Sequence, residues 1–253
     1  MEFFYFIVFF VIGSSLASFY CVVATRLPEG KSIVKPGSHC IVCNHSLKWF
    51  ELVPILSYIF LKGKCRYCKT NIPIYEFFAE IACGLLFGLS FLYFGFSYSF
   101  YVSLVLISLL ILIFVSDFKY MIILDSPLVI TSLVVLGLKW YYFSLYTSFI
   151  SLIDGVILFV IMLLIGFLGK KMFKKEALGG GDIKLAFVIG LTVGVPYGLM
   201  CLVLSSFLAL PYATYSMLTN NSHEVPYGPF LISSLCIVFF YYDKFSYILN
   251  LFN

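Results

Sequence analysis

Two aspartates in apolar surroundings are the residues best placed to do chemistry. Asp117 follows an apolar run from Phe100 to Ser116, and only Lys119 interrupts the apolar residues beyond it, up to Leu124. Asp182 ends the run Gly179, Gly180, Gly181 and stands directly before another apolar stretch. Taken singly, each has a structural reading, Asp182 as a helix N-cap and Asp117 as a charge at the lipid boundary. Taken together they allow more. Two apolar spans separate them, so parity returns both to the same side of a membrane. Two carboxylates in contact repel and are partly desolvated, which leaves one ionised and one protonated. Aspartyl proteolysis needs that state: the ionised member takes a proton from water as it attacks a peptide carbonyl, while the protonated member polarises the carbonyl oxygen and later helps the amine leave. The three glycines offer side-chain-free backbone against which an extended peptide can lie.

Other carboxylates compete. Asp125 lies eight residues beyond Asp117, and with Ser126 and Pro127 it also reads as the start of a helix. Glu76 and Glu80 share a helix face at i, i+4 spacing near one membrane edge, where pairing with Lys or Arg is the structural reading. Asp154 falls near the opposite edge, and Lys170, Lys171, Lys174 and Lys175 read as a headgroup anchor.

Four cysteines offer a second chemistry. Cys40 and Cys43 form one CxxC, Cys65 and Cys68 another, with 21 residues between the pairs. Each pair can clamp one edge of a tetrahedral ion, and four thiolates satisfy Zn(II) with no position left open, so the site is expected to be structural. Disulfides and free thiols are the alternatives, and a reducing compartment disfavours the first. His39 and His45, beside the first pair, read as solvated loop residues. Cys21, Cys83, Cys201 and Cys236 lie in or beside apolar spans and read as small buried hydrophobes.

The elements that must hold these groups are membrane helices. Of 253 residues, 62% are hydrophobic and 11% charged, against about 25% charged in a soluble domain. This excludes a water-soluble globule and gives no support for nucleic-acid binding. Apolar runs at 2–24, 76–95, 99–116, 127–146, 149–169, 185–194, 196–217 and 228–250 predict an all-α polytopic membrane protein of about eight transmembrane helices. Gly194, Val195 and Pro196 divide the sixth run from the seventh, which together are too long for one span. The organisation expected is a first helix at 1–24, a zinc loop at 25–75 and a membrane core at 76–253. Alternation from an external N-terminus puts loops 25–75, 117–126, 170–184 and 214–227 in the cytoplasm, and they hold 14 of the 16 basic residues. The 51-residue insertion at 25–75 has few large apolar residues, so a bound metal is a plausible source of its folding free energy.

At this level of detail the chain resembles the bacterial type IV prepilin peptidases, membrane aspartyl enzymes of the GxGD class. The marks are Ile12, Gly13, Ser14; Arg26, Leu27, Pro28; Cys40 and Cys43; Leu52 to Tyr58; Gly63 to Cys68; Glu80; Ser116, Asp117, Phe118 with Asp125; and Gly179 to Lys184, which match GGGDxK. Leu124 stands where the family usually has proline, and Tyr75, Glu76, Phe77 where Arg, Tyr, Pro is common. The resemblance implies Asp117 and Asp182 as the catalytic pair, with Gly179, Gly180, Gly181, Asp125, Lys184 and Glu80 in support, and a cytoplasmic tetracysteine zinc loop. It implies prepilin or pseudopilin substrates, cut after a glycine at a bacterial cell membrane, and S-adenosylmethionine as methyl donor to the new amine. The residues themselves leave two other classes open. A transporter could use Asp117, Asp182 and Glu80 as an ion path, although its carboxylates should cross the midplane; a non-catalytic scaffold could recruit a partner through the zinc loop, but it gives no reason for the aspartates and triple glycine. Nothing in the sequence speaks to oligomeric state.

Overall fold

A computed structural model describes residues 1–173, 178–220 and 225–250. Among the described residues the regular structure is entirely helical, with two isolated bridges, His39 to Ser46 and Lys64 to Asn71. The chain divides into two compact units, residues 1–100 and 101–253.

The first unit is built on two long helices, α1 (Glu2–Arg26) and α3 (Ile74–Phe94), with a 3-10 turn at Trp49–Glu51 and a short helix α2 (Leu56–Phe60) between them. Glycine allows α1 and α3 to touch backbone to backbone: a Cβ on Gly13 would stand 2.8 Å from the Cys83 carbonyl oxygen, and one on Gly84 2.8 Å from that of Phe10. Such close approach drives helix association in lipid, where apolar side chains gain nothing by leaving their surroundings. Phe9, Phe91 and Phe100 close the far end, with ring centroids 4.8–5.8 Å apart. At the other end the Arg26 guanidinium donates to the carbonyls of Ser32, Pro36 and Gly37 at 3.2, 2.7 and 3.2 Å, turning the chain as it leaves α1.

The boundary between units falls within α4 (Tyr98–Tyr120). The second unit continues through α5 (Asp125–Tyr142), α6 (Leu145–Phe173), α7 (Gly180–Val193), α8 (Val195–Asn220), α9 (Gly228–Phe240) and α10 (Tyr242–Asn250). Helix α7 is short and packs against α5, α6, α8 and α9, burying Leu185, Ala186, Val188, Ile189 and Leu191. It is therefore apolar on nearly all faces, as a central element must be. Gly194, at φ +84, ends α7 and lets the chain turn directly into α8, so the predicted break within the long apolar run lies where the glycine sits. Lys139 of α5 donates from Nζ to Ser151 Oγ of α6 and to the Leu191 carbonyl of α7, 2.7 Å each, satisfying an end-of-helix acceptor that has no partner in its own helix.

Among the described residues, eight helices of 13 residues or more underlie the eight predicted runs, and five of them, α1, α3, α4, α6 and α8, are by length and composition apolar enough to cross a membrane. Helices α7 and α9 rise only about 20 Å each, short of the roughly 30 Å hydrocarbon layer, and α5 carries Asp125 and Lys139. The last predicted run, 228–250, is two helices that meet at Tyr241. Lys174 and Lys175 of the proposed headgroup anchor lie outside the described residues; Lys170 and Lys171 end α6.

Candidate active site and metal centre

The last turn of α4 carries Asp117, and the first turn of α7 carries Asp182. The two helices are separated in sequence by α5 and α6, and the fold of the second unit brings their ends together. Both aspartates are buried, with 6% and 8% of their surface exposed, and they are close enough to interact electrostatically. Both line one cleft of about 910 Å³, together with Met121 to Ile123, Leu178, all three glycines and Pro226 to Tyr227.

The two carboxylates have different surroundings. Asp117 Oδ2 accepts a 3.1 Å hydrogen bond from the Gly228 backbone N–H, at the start of α9. Asp182 lies against the backbone of Gly179, and its Oδ1 is buried with no hydrogen-bond partner. Ser116 Oγ is likewise buried and unpartnered beside Asp117. An unpaired buried polar atom costs about 1–3 kcal/mol; Ser116 does not line the cleft, but Asp182 does, and its free Oδ1 marks the cleft as a place where something else binds. Asp182 is the third residue of α7, with Gly179 at the cap; it does not occupy the N-cap position that its sequence context also allowed.

The three glycines serve separate purposes. A Cβ on Gly179 would crowd Asp182 Oδ2 at 3.1 Å; one on Gly181 would meet Ile123 Cβ at 2.7 Å; one on Gly180 would meet nothing within 4 Å. Gly180 alone presents open backbone to the cleft. Ile123 is also pressed against Gly228, whose added Cβ would lie 2.7 Å from Ile123 Cδ1 and 2.9 Å from Asp117 Oδ2. Gly228 and Ile123 are site residues that reading the sequence did not single out. Gly228 contributes only a main-chain N–H, and its one sequence signal is the cluster Pro226, Tyr227, Gly228, Pro229 at a helix start.

Asp125 and Lys184 are brought together, but not in the cleft. Lys184 Nζ lies 2.7 Å from Asp125 Oδ1 and both side chains are more than half exposed, the setting of a weak surface pair. In the first unit, Glu80 is buried and accepts the Ile55 backbone N–H at 2.7 Å, with Ser18 also bonded to it. Its partners are thus a main-chain donor and a hydroxyl, in place of the basic side chain that its sequence position suggested.

The four cysteines come together. Their sulfurs all lie within 4.8 Å of one another, with Cys40 to Cys68 at 3.6 Å and Cys43 to Cys65 at 3.9 Å. Zinc–sulfur bonds of about 2.3 Å in a tetrahedron place sulfurs about 3.8 Å apart. Each pair sits in a tight turn of the same build. The Cys40 N–H donates to the His45 carbonyl and the Asn44 N–H to that of Cys40; the Cys65 N–H donates to Thr70 and the Lys69 N–H to Cys65. Asn44 and Lys69 take the left-handed conformation that closes these turns. Backbone N–H groups of Cys43 and Val42 hold the Cys40 thiol below its ordinary range and bonds from Thr70 bring Cys68 down to about 6, whereas at Cys43 the backbone N–H of His45 is outweighed by burial and the neighbouring sulfurs, which push it up to about 11; two of the thiols thus favour the thiolate that binds metal. The cluster fits a tetrahedral metal ion such as zinc. His39 and His45 are not part of it.

Comparison with known proteins gives a consistent result. Residues 11–94 match the model of the bacterial peptidase A24 N-terminal domain, and residues 104–214 that of the type IV leader peptidase family. The chain is 30% identical over 240 residues to a prepilin leader peptidase/N-methyltransferase of Bacillus subtilis (strain 168), covering 94% of each. With the Vibrio cholerae serotype O1 protein of the same name it shares 32% over 256 residues, covering 95% of this chain and 98% of the relative. A Myxococcus xanthus relative, again of that name, is 34% identical over 181 residues, 72% of this chain and 54% of its own. No solved structure gives a significant match.

Proposed function

Because the chain belongs to the type IV leader peptidase family, we propose that it is a membrane aspartyl endopeptidase that removes the leader of type IV prepilins or pseudopilins after a glycine and then methylates the new N-terminus. The observation that carries the peptidase reading is the shared cleft: two buried aspartates from the ends of α4 and α7, one held by a backbone N–H and the other with a free oxygen.

The Gly228 N–H stabilises negative charge on Asp117, which makes Asp117 the base and Asp182 the acid of the pair. Asp117 takes a proton from a water molecule as its oxygen attacks the scissile carbonyl carbon, and Asp182 gives its proton to the carbonyl oxygen. Collapse of the resulting gem-diol breaks the C–N bond. One hydroxyl proton returns to Asp182, and the proton on Asp117 passes to the departing amine, so the pair ends as it began. The open backbone at Gly180 supports an extended substrate segment beside the pair. A carboxylate ion path is a weaker reading, because these two groups meet at one cleft and leave the middle of α4 and α7 without charge.

The amine freed by cleavage is the nucleophile that accepts the methyl group from S-adenosylmethionine. Among the described residues no glycine-rich strand-to-helix turn is present to cradle a nucleotide, so this activity is assigned to the chain without a cofactor pocket. Cys40, Cys43, Cys65 and Cys68 would hold a structural Zn(II), which closes the loop at 25–75 and takes no part in either reaction. That loop as a zinc domain, and 76–253 as the peptidase core, form the organisation proposed here. The concentration of basic residues in loops on one side supports a bacterial plasma-membrane location with the cleft toward the cytoplasm.

Purified protein in detergent is incubated with a prepilin-like peptide, alongside Asp117→Asn and Asp182→Asn. Cleavage is expected with the native protein and at least about a 100-fold loss in each variant, the scale of lost acid–base catalysis. An intact peptide with native, zinc-loaded protein refutes the peptidase assignment, and full activity in either variant removes that residue from the pair. A gain of one methyl in the product, seen by mass spectrometry only when S-adenosylmethionine is added, tests the transferase.

A further inference from the structure

The segment between the two cysteine turns behaves differently from the rest of its polar loop. After the Lys48 to Glu51 turn, where Glu51 accepts the Lys48 N–H at 2.8 Å, the chain runs through Leu52, Val53 and Pro54 to Ile55. The Ile55 N–H then bonds to Glu80. Glu80 is six residues into α3, about 9 Å along its axis at 1.5 Å per residue. One turn earlier on α3, Phe77 stacks on Tyr58 of α2 with ring centroids 4.6 Å apart. The chain then climbs back: the Gly63 carbonyl accepts the Ile72 N–H at 2.8 Å, which puts Gly63 level with the residues just before α3 begins.

Between Pro54 and Gly63 the chain therefore makes an excursion alongside the first two turns of a helix long and apolar enough to span a membrane. Its outward side chains are apolar. Leu56 is 52% exposed, Ile59 55% and Phe60 81%, in a segment whose flanks are basic, with Lys48 before it and Lys62, Lys64 and Arg66 after it. Trp49, 80% exposed, packs edge-on to Phe50, over which Arg66 lies at 5.5 Å. Exposed apolar residues beside the first two turns of α3, with exposed aromatic residues before them and cations after them in the chain, match the composition of an interfacial element, which immerses its apolar face about 5–10 Å.

Irregular backbone at that depth must have its donors satisfied. Pro54 has no N–H, Ile55 donates to Glu80, Leu56 to the Pro54 carbonyl, Ser57 to that of Val53, and Ile59 to that of Ile55. Ile55 takes a left-handed conformation, φ +62, that a β-branched residue rarely adopts, and the Glu80 carboxylate holds it there.

We propose that residues 54–63 form a re-entrant, lipid-embedded element, with Leu56, Ile59 and Phe60 seated in the bilayer interface and Lys62, Lys64 and Arg66 on the phosphate groups of its anionic lipids. The zinc turns are thereby pinned to the membrane surface by a second contact besides the ends of α1 and α3. The prediction is independent of the proteolytic reading.

A tryptophan moved to position 60 tests it. Trp49 and Trp140 are the protein's two tryptophans, so Phe60→Trp in a Trp49→Phe/Trp140→Phe background gives one reporter. Protein retaining its zinc is reconstituted into phosphatidylcholine/phosphatidylglycerol vesicles, with or without bromine on acyl carbons 6 and 7, and titrated with iodide. About a twofold or greater loss of emission in the brominated vesicles, with little iodide quenching, is the expected result. Iodide quenching without a bromine effect puts the segment in water and overturns the proposal. Protection from both quenchers places a protein segment over it, such as a substrate helix, and overturns it as well. Should the position-60 variant lose its zinc, Ile59→Trp in the same background carries the same three outcomes.

Discussion

Substituting Ala at Gly181 adds one methyl group and should disable the cleft, while the same change at Gly180 should not. The new Cβ at position 181 would stand 2.7 Å from Ile123 Cβ and 3.2 Å from its Cγ1. Apolar carbons rest about 3.5–4.0 Å apart, so roughly 1 Å of displacement has to come from somewhere. Ile123 is β-branched and has few rotamers. Its Cδ1 also lies next to Gly228, where an added Cβ would be 2.7 Å away, and Gly228 is the residue whose N–H holds Asp117. Relief toward Gly228 disturbs Asp117, and relief the other way moves the first turn of α7 and Asp182 with it. A misplacement of about 1 Å costs on the order of 100-fold in rate, equivalent to about 2.7 kcal/mol of lost transition-state stabilisation. The assay is cleavage of a prepilin-like peptide in detergent, with kcat and KM measured separately. Gly181→Ala is expected to lose about 100-fold in kcat/KM, mainly in kcat, and Ile123→Ala in the same chain to recover part of that loss. Gly180→Ala, which meets no atom within 4 Å, should keep kcat within about twofold and act through KM alone. Native activity in Gly181→Ala, or a loss that Ile123→Ala leaves untouched, refutes the account of how this packing holds the aspartates.

Three further outcomes follow from the same geometry. Cys65 is buried in the cysteine cluster, so Cys65→Ser should drop the metal content from about one zinc per chain to near zero and make residues 25–75 the first target of trypsin, read by elemental analysis and mass spectrometry. Asp125 and Lys184 form an exposed pair worth less than about 1 kcal/mol; Asp125→Asn should therefore keep kcat/KM within about threefold, and an inactive, folded variant would make Asp125 a rival for the base. Lys139→Met removes the donor to Ser151 and Leu191 and the cation that Asp154 feels. It should cost about 1–3 kcal/mol as a lowered Tm, part of which Asp154→Asn in the same chain restores; no restoration would show that the two charges are not coupled.

What the sequence made legible follows from what kind of signal each feature leaves. The cysteine turns were legible because a metal site needs particular atoms, and CxxC writes those atoms as a fixed spacing. The pairing of Asp117 with Asp182 was legible because two apolar runs lie between them, and the helices they form, α5 and α6, return the chain to the end it left. The number of crossings is less legible, because hydropathy records that a residue avoids water without saying what replaces it. Residues 185–194 read as a span, and α7, 14 residues long, is also enclosed by other helices.

The least legible parts of the site are those supplied by the main chain or by packing. Any residue but proline has the N–H that Gly228 gives to Asp117, so only the backbone path into α9 singles it out. Ile123 is one apolar residue among many until both Gly181 and Gly228 are seen to leave room for it. Glu80 misleads in the opposite direction: a buried carboxylate near the edge of a span invites a basic partner or a catalytic role. Here it satisfies the Ile55 N–H in a stretch that water cannot reach if the interfacial placement holds. The same reasoning separates Asp182 from Asp125 and Glu80, the carboxylates that the sequence placed in support. Asp125 has an exposed cation, and Glu80 has a main-chain donor and a hydroxyl. Asp182 keeps one buried oxygen with no protein partner, in the cleft it shares with Asp117, and an acid that must hand its proton to a substrate requires an oxygen left free in that way.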